Sequence, residues 1–151
     1  MELKLTIRDE AALSRLGADM AKGLFPGAFI ALFGGLGAGK TTLAKAIGRA
    51  LGIEDIQSPT FTIVREHMGR LPLFHFDAYR LEDEDELYAM GYEDYLARNG
   101  VIIMEWCENV PCALPPERLD IRISGSGMEP RELHLRPRGS RYEAMLEDIS
   151  C

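Results

Sequence analysis

Between Glu2 and Arg8 the chain alternates, Leu3, Leu5 and Ile7 apolar and their neighbours polar, which predicts a strand with one face buried. The period then lengthens. Leu13, Leu16 and Met20 fall on one side of a predicted helix from about Asp9 to Leu24, with Asp9 placed to cap its first turn. Pro26-Gly27 turns the chain into Phe29 to Phe33, a short apolar run that reads as a buried strand. Leu43, Ile47 and Leu51 return to helical spacing from Thr41 to Leu51, and Gly52 stands where that helix should end. After the turn-prone Gln57-Ser58-Pro59-Thr60 come two β-rich runs, Phe61 to Glu66 and Leu73 to Tyr79. Met68-Gly69-Arg70 separates them, so the pair predicts a hairpin.

The second half reads less regularly. A short helix is predicted over Glu82 to Glu86, with Leu81, Leu87 and Met90 as its buried side, and another over Asp94 to Asn99 before Gly100. Val101 to Met104 is continuously apolar, the pattern of a central strand, and ends at Glu105-Trp106. Beyond a loop marked by Pro111, Pro115 and Pro116, Leu119 to Ile123 and Glu132 to Leu135 alternate as two more strands. Ser140 to Ile149 is expected to close the chain as a helix.

Length and composition narrow what such elements can do. The 151 residues suit one domain. The net charge is −7, the pI is near 5.0, and no stretch concentrates Lys and Arg without acidic neighbours. This balance argues against direct, tight binding of DNA or tRNA, so any phosphate recognition has to be local. The acidic run Glu82 to Glu86 reads as a solvated helix face, because five consecutive side chains cannot converge on one ion. Cys107, Cys112 and Cys151 are odd in number and lack metal-ligand spacing, the usage of free thiols in a reducing compartment. With no signal-like or membrane-spanning run, the expected location is the cytoplasm and no membrane partner is expected.

The chemistry concentrates at Gly34-Gly35-Leu36-Gly37-Ala38-Gly39-Lys40-Thr41, a Walker A loop between a predicted strand and a predicted helix. The glycines allow the backbone to curl so that N–H groups of Gly35, Leu36, Gly37, Ala38, Gly39, Lys40, Thr41 and Thr42 point at a triphosphate. The helix that follows adds the positive end of its dipole. Lys40 would reach the outer phosphates of ATP, and the Thr41 hydroxyl would hold magnesium. The ion needs a carboxylate at a strand end beside the loop, and Glu105, delivered by Val101 to Met104, fits best. Asp77, after Phe74-His75-Phe76, is the second candidate, acting on the metal or on the attacking water; the alternative is an Asp held by neighbouring backbone or by Arg80. Thr60 stands where a γ-phosphate-sensing threonine would stand, or simply opens a strand. Trp106 stacks on a base or a partner, or belongs to the core. His67, His75 and His134 are scattered and read as ordinary side chains, and Cys107 has no adjacent group to activate it.

The loop, together with Ser58-Pro59-Thr60-Phe61, His75-Phe76-Asp77-Ala78-Tyr79-Arg80, Glu105-Trp106-Cys107-Glu108 and Arg118-Leu119-Asp120-Ile121, closely resembles the bacterial TsaE family over nearly the whole chain. That resemblance implies an α/β P-loop NTPase-like three-layer sandwich with a mixed, mainly parallel central sheet. It also implies a weak ATPase that works with the TsaD and TsaB proteins and meets tRNA only through that complex. TsaD and TsaB transfer the threonylcarbamoyl group to adenosine 37 of tRNA, and the small ATPase is thought to reset them between turnovers. Carried over by motif, Lys40 and Thr41 serve phosphate and metal, Glu105 serves the metal, and Asp77, Thr60 and Trp106 are the sensitive positions around them. Two departures stand out: Gly35 where family loops commonly have Asp, and Ala78 where Leu is commoner. A small P-loop kinase is the rival reading; it would need an arginine-rich lid, and Arg65, Arg70 and Arg80 are spread along the hairpin. A GTPase would need an Asn-Lys-x-Asp motif, which the chain lacks.

Overall fold

A computed structural model describes residues 2–59 and 62–149; Thr60, Phe61 and Cys151 lie outside them. The opening alternation becomes β1 (Leu3–Ile7), and the lengthened period becomes α1 (Glu10–Lys22), capped by Asp9, whose Oδ1 accepts from the Ala12 N–H at 2.8 Å. β2 (Phe29–Phe33) feeds the glycine-rich loop. The helix after it, α2 (Lys40–Ala50), starts one residue earlier than its apolar spacing indicates, because Gly39 turns the chain in the left-handed region at φ 111°.

The hairpin forms as β3 (Val64–Met68) and β4 (Pro72–Asp77), both shorter than the runs that predict them. At the start, the Thr62 and Ile63 N–H groups both donate to the Pro59 carbonyl and make a turn. At the end, Asp77 Oδ1 accepts from the Tyr79 N–H at 3.0 Å and bends the chain out of the strand. The acidic run becomes helical only in its second part, α3 (Glu84–Ala89), since Asp83 caps it by accepting from Glu86 N–H. α4 (Tyr92–Ala97), β5 (Val101–Glu105), β6 (Arg118–Ser124), β7 (Arg131–Arg138) and α5 (Ser140–Glu147) complete the order, and two 3-10 turns occupy the proline-rich loop.

Seven strands form one sheet in the order β1-β7-β6-β2-β5-β4-β3. The centre, β6-β2-β5-β4, is parallel, and both edges are closed by antiparallel pairings. Alternation sends Ile30, Leu32, Ile103, Leu119, Ile121, Leu133 and Leu135 to one face, where α1, α2 and α5 cover them. The opposite residues of the central strands, Phe29, Ala31, Phe74, Phe76, Ile102 and Met104, pack under α3, α4 and the 3-10 turns around Leu87 and Tyr92. The sandwich therefore has three layers over β2, β5 and β4. Over β6, β7 and β1 this second face presents charged side chains and carries no described helix.

Candidate active site

The phosphate loop is shaped from below and gripped from outside. Gly34 sits at φ 150°, and a Cβ there would run into the Ile123 carbonyl oxygen of β6, so the loop leaves β2 along a path open only to glycine. Arg131, at the start of β7, donates from Nε to Ala38 O at 3.0 Å and from Nη2 to Gly37 O at 3.3 Å. Engaging the carbonyls from that side leaves the N–H groups of Gly37 and Gly39 with no protein acceptor among the described residues. Backbone donors turned into a cavity at a helix start are an anion cradle. Gly35 differs from Gly34, Gly37 and Gly39, because it lies outside the left-handed region and a Cβ added there meets nothing within 4 Å. Nothing steric at this position excludes a larger residue.

Lys40, buried in the first turn of α2, donates to the Gly34 carbonyl and to the Gly35 carbonyl, while its ammonium lies 3.6 Å from the centre of the Trp106 ring. Burial pushes its pKa down, and the carboxylates of Glu108, Glu105 and Asp77 pull the other way. The cation is thus held at the loop by dipoles and an aromatic face, in reach of the cavity the loop encloses.

Strand parity brings the remaining groups together. Val101, Ile103 and Glu105 point to the α2 side of β5, and Leu73, His75 and Asp77 do the same on β4, with Asp77 beside Glu105 in register. Glu105 is buried, and its carboxylate accepts from the Thr41 hydroxyl at 2.8 and 3.0 Å. On its other side, wholly buried His75 places Nε2 at 2.6 Å from Oε2 of the same carboxylate. An ionised carboxylate only accepts, so Nε2 carries the shared proton, and Nδ1 has no partner among the described residues. Asp77 is half-buried; loss of water raises its pKa and Glu105 raises it further, against the Tyr79 N–H bond.

A hydroxyl and a carboxylate already converging on one point suit magnesium, which takes few protein oxygens and keeps water and phosphate in its other positions. No group of three or more His, Cys, Asp or Glu with metal-holding geometry occurs among the described residues, and this ion does not require one. Trp106, in the left-handed region at φ 60°, swings the chain off β5 so that its ring covers Lys40 and meets Tyr79 at 4.8 Å.

A cavity of about 340 Å³ is lined by Gly35, Leu36, Gly37, Ala38, Gly39, Lys40, Thr41 and Thr42 together with Asp77, Tyr79, Glu105 and Trp106. Every residue proposed from the sequence is thus gathered except Thr60, which lies outside the described residues. A second cavity of about 420 Å³ shares Gly37, Ala38, Gly39 and Thr42 and continues along Arg8, Asp9, Met128 and Arg131. The expectation that His75 is an ordinary side chain is overturned, since it bonds the proposed metal carboxylate; its place two residues before Asp77 on one strand was the available signal. Arg131 carried no comparable signal, because its strand is 93 residues away from the loop in sequence and meets it only in space.

A glycine-rich loop between β2 and α2, with a carboxylate at the end of the neighbouring parallel strand, defines a P-loop NTPase-like α/β protein. The family described as threonylcarbamoyl adenosine biosynthesis protein TsaE matches residues 7–133, and the chain belongs to it. A TsaE protein of Bacillus subtilis is 44% identical over 92% of this chain and 86% of its own length. One from Treponema pallidum is 34% identical over 80% and 90%. The crystal structure of Bacillus subtilis YdiB superposes with a TM-score of 0.84 at 35% identity, covering 98% of this chain and 93% of that one. The fold and the family are those of a protein of tRNA threonylcarbamoyladenosine biosynthesis.

Proposed function

We propose that the chain binds ATP with magnesium at the phosphate loop, hydrolyses it slowly, and uses that cycle to reset the TsaD and TsaB transferase between rounds of adenosine 37 modification. The observation that carries the ATPase reading is the meeting of Thr41 and Glu105 at 2.8 Å beside the loop, with Lys40 lining the same cavity. Magnesium, when bound, supplies charge neutralisation of the outer phosphates. Thr41 and Glu105 would hold it, the Gly37 and Gly39 N–H groups would take phosphate oxygens, and Lys40 would exchange its two carbonyl partners for phosphate. His75 orients the Glu105 carboxylate. Asp77, placed beside Glu105, would position water, and the second cavity offers room for the nucleoside, because it shares the loop's inner residues and lies away from the metal side. No arginine lines the first cavity among the described residues, which favours slow hydrolysis over rapid transfer to a metabolite.

Reset of the transferase is tested by reconstitution with TsaD and TsaB and tRNA in excess. Wild type should sustain many turnovers. Lys40→Ala should lose tight ATP binding with an unchanged circular dichroism spectrum and should support only the first round. Multiple turnovers without the chain, or equal support by Lys40→Ala, would sink the reset role; unchanged ATP affinity in Lys40→Ala would sink the site itself.

A further inference from the structure

On the second face of the sheet, away from the nucleotide cavity, β6 and β7 bring together arginines that sequence spacing keeps apart. Alternation points Arg118, Asp120 and Arg122 outward from β6, while β7 points His134, Arg136 and Arg138 the same way; Arg118 faces Arg138 and Asp120 faces Arg136 in register. These side chains and Phe33 line a shallow cavity of about 370 Å³ with an apolar rim at Pro111 and Leu114. The chain as a whole carries a charge of −7, so this concentration of positive charge runs against its composition.

The arginines are oriented and only partly engaged. Asp120, buried, accepts from Arg118 Nε at 2.7 Å and from Arg138 Nε at 2.6 Å, so one carboxylate anchors two guanidinium groups. Arg136 donates its Nε to Glu2 at 2.8 Å. Arg122 has no carboxylate partner among the described residues and stacks 5.1 Å from the centre of the Phe33 ring. Three of the four arginines therefore share two carboxylates, and the terminal nitrogens of Arg136 and Arg138 have no protein hydrogen-bond partner among the described residues. Guanidinium groups held at Nε present their outer N–H pairs to a planar, bidentate acceptor.

We infer that this half of the sheet is a docking surface for an acidic segment of a protein partner, whose carboxylates bridge Arg122, Arg136 and Arg138. Discrete carboxylates fit better than a nucleic-acid backbone for two reasons. Asp120 and Glu2 already occupy such wells, which shows the geometry that the arginines favour, and the same two carboxylates interrupt the positive field that a continuous row of phosphates would need. Arginine beside Phe33, Leu114 and Pro111 is also the composition of a protein interface. The inference is independent of the nucleotide reading, since none of these residues lines the phosphate-loop cavity.

The test is titration of the isotopically labelled full chain with a short peptide of alternating Glu and Gly, followed by backbone amide shifts, and in parallel with polyuridylate of equal charge. The peptide should shift amides of β6 and β7, release with added salt, and bind roughly fivefold more weakly to Arg122→Ala, the worth of one exposed ion pair. Arg122 anchors no carboxylate, so its loss should leave the remaining spectrum in place; Arg122→Gln is the second variant if Ala perturbs the fold. Peptide shifts confined to other surfaces, no shifts at all, or an affinity indifferent to Arg122 would overturn the inference. Tighter binding of polyuridylate than of the peptide would overturn it in favour of RNA.

Discussion

On its second face the sheet carries an apolar layer of phenylalanines, Ile102 and Met104 over β2, β5 and β4, and arginines where β6 and β7 lie. The strands beneath the phenylalanines are packed from both sides, and it is their ends that carry Asp77 and Glu105. Those beneath the arginines are packed from one side only, and reach the site indirectly, through the Ile123 carbonyl and Arg131 behind the loop. A carboxylate proposed to hold a metal to a fraction of an ångström needs a strand that cannot shift, and double-sided packing supplies this. The one-sided half is free to use its outer surface for something other than stability.

The comparison breaks first, and hardest, at Phe76. It is fully buried and makes edge contacts with Tyr92 and Tyr95 at 5.7 and 5.2 Å. Phe76→Ala should destabilise the chain by about 3–5 kcal/mol, measured by urea unfolding, and should weaken magnesium-dependent ATP binding as β4 loosens. A loss under about 1 kcal/mol would mean that the covering helices contribute little to holding the site.

His75 sharpens the point within the packed half. His75→Ala should reduce magnesium-dependent ATP affinity by roughly tenfold, the usual cost of removing an orienting partner of a metal ligand, while ATP binding in excess chelator changes little. His75→Gln, which keeps a donor, should recover part of the loss. Equal losses with and without magnesium would make His75 a packing residue only.

A smaller effect concerns Asp77, measured without metal. Its folded pKa is raised by burial and by Glu105 above the value of an unfolded Asp, so the folded state binds the proton more tightly than the unfolded state does. Stability contributed by protonated Asp77 is fully present below the unfolded pKa and is lost as pH rises through the folded one. Asp77→Asn should therefore be more stable than wild type at neutral pH, and the gap should close on acidification. A constant difference across pH would show that ionised Asp77 costs the fold nothing.

The smallest change is expected on the open half. Arg136→Ala should alter unfolding free energy by no more than about 0.5 kcal/mol and leave ATP affinity untouched, since its hydrogen-bond partner among the described residues is exposed Glu2. A large loss of stability there would erase the distinction between the two halves.

Local patterns were enough to read β1, α1, β2, α2, the hairpin and β5, because each depends on a period and a cap or turn within a few residues. They were also enough to nominate Lys40, Thr41 and Glu105, whose chemistry follows from a loop and a strand end. The arginine face was not legible in the same way. Arg118 and Arg122 are separated from Arg136 and Arg138 by a turn, and only the antiparallel register adds their charges together. Arg131 and the left-handed turn at Trp106, though not Trp106 itself, escaped for a related reason, since each depends on a backbone path that no side-chain pattern encodes.

Trp106 has a further, optical consequence. It is the chain's one tryptophan, and its indole has the Lys40 ammonium 3.6 Å from its centre and the Tyr79 ring at its side. Indole emission responds to a nearby charge, so any phosphate that draws Lys40 off the ring changes the fluorescence of the whole protein. Occupancy of the loop is then expected to be readable as a colour shift from unlabelled material, with the signal arising beside the lysine proposed to bind the phosphate.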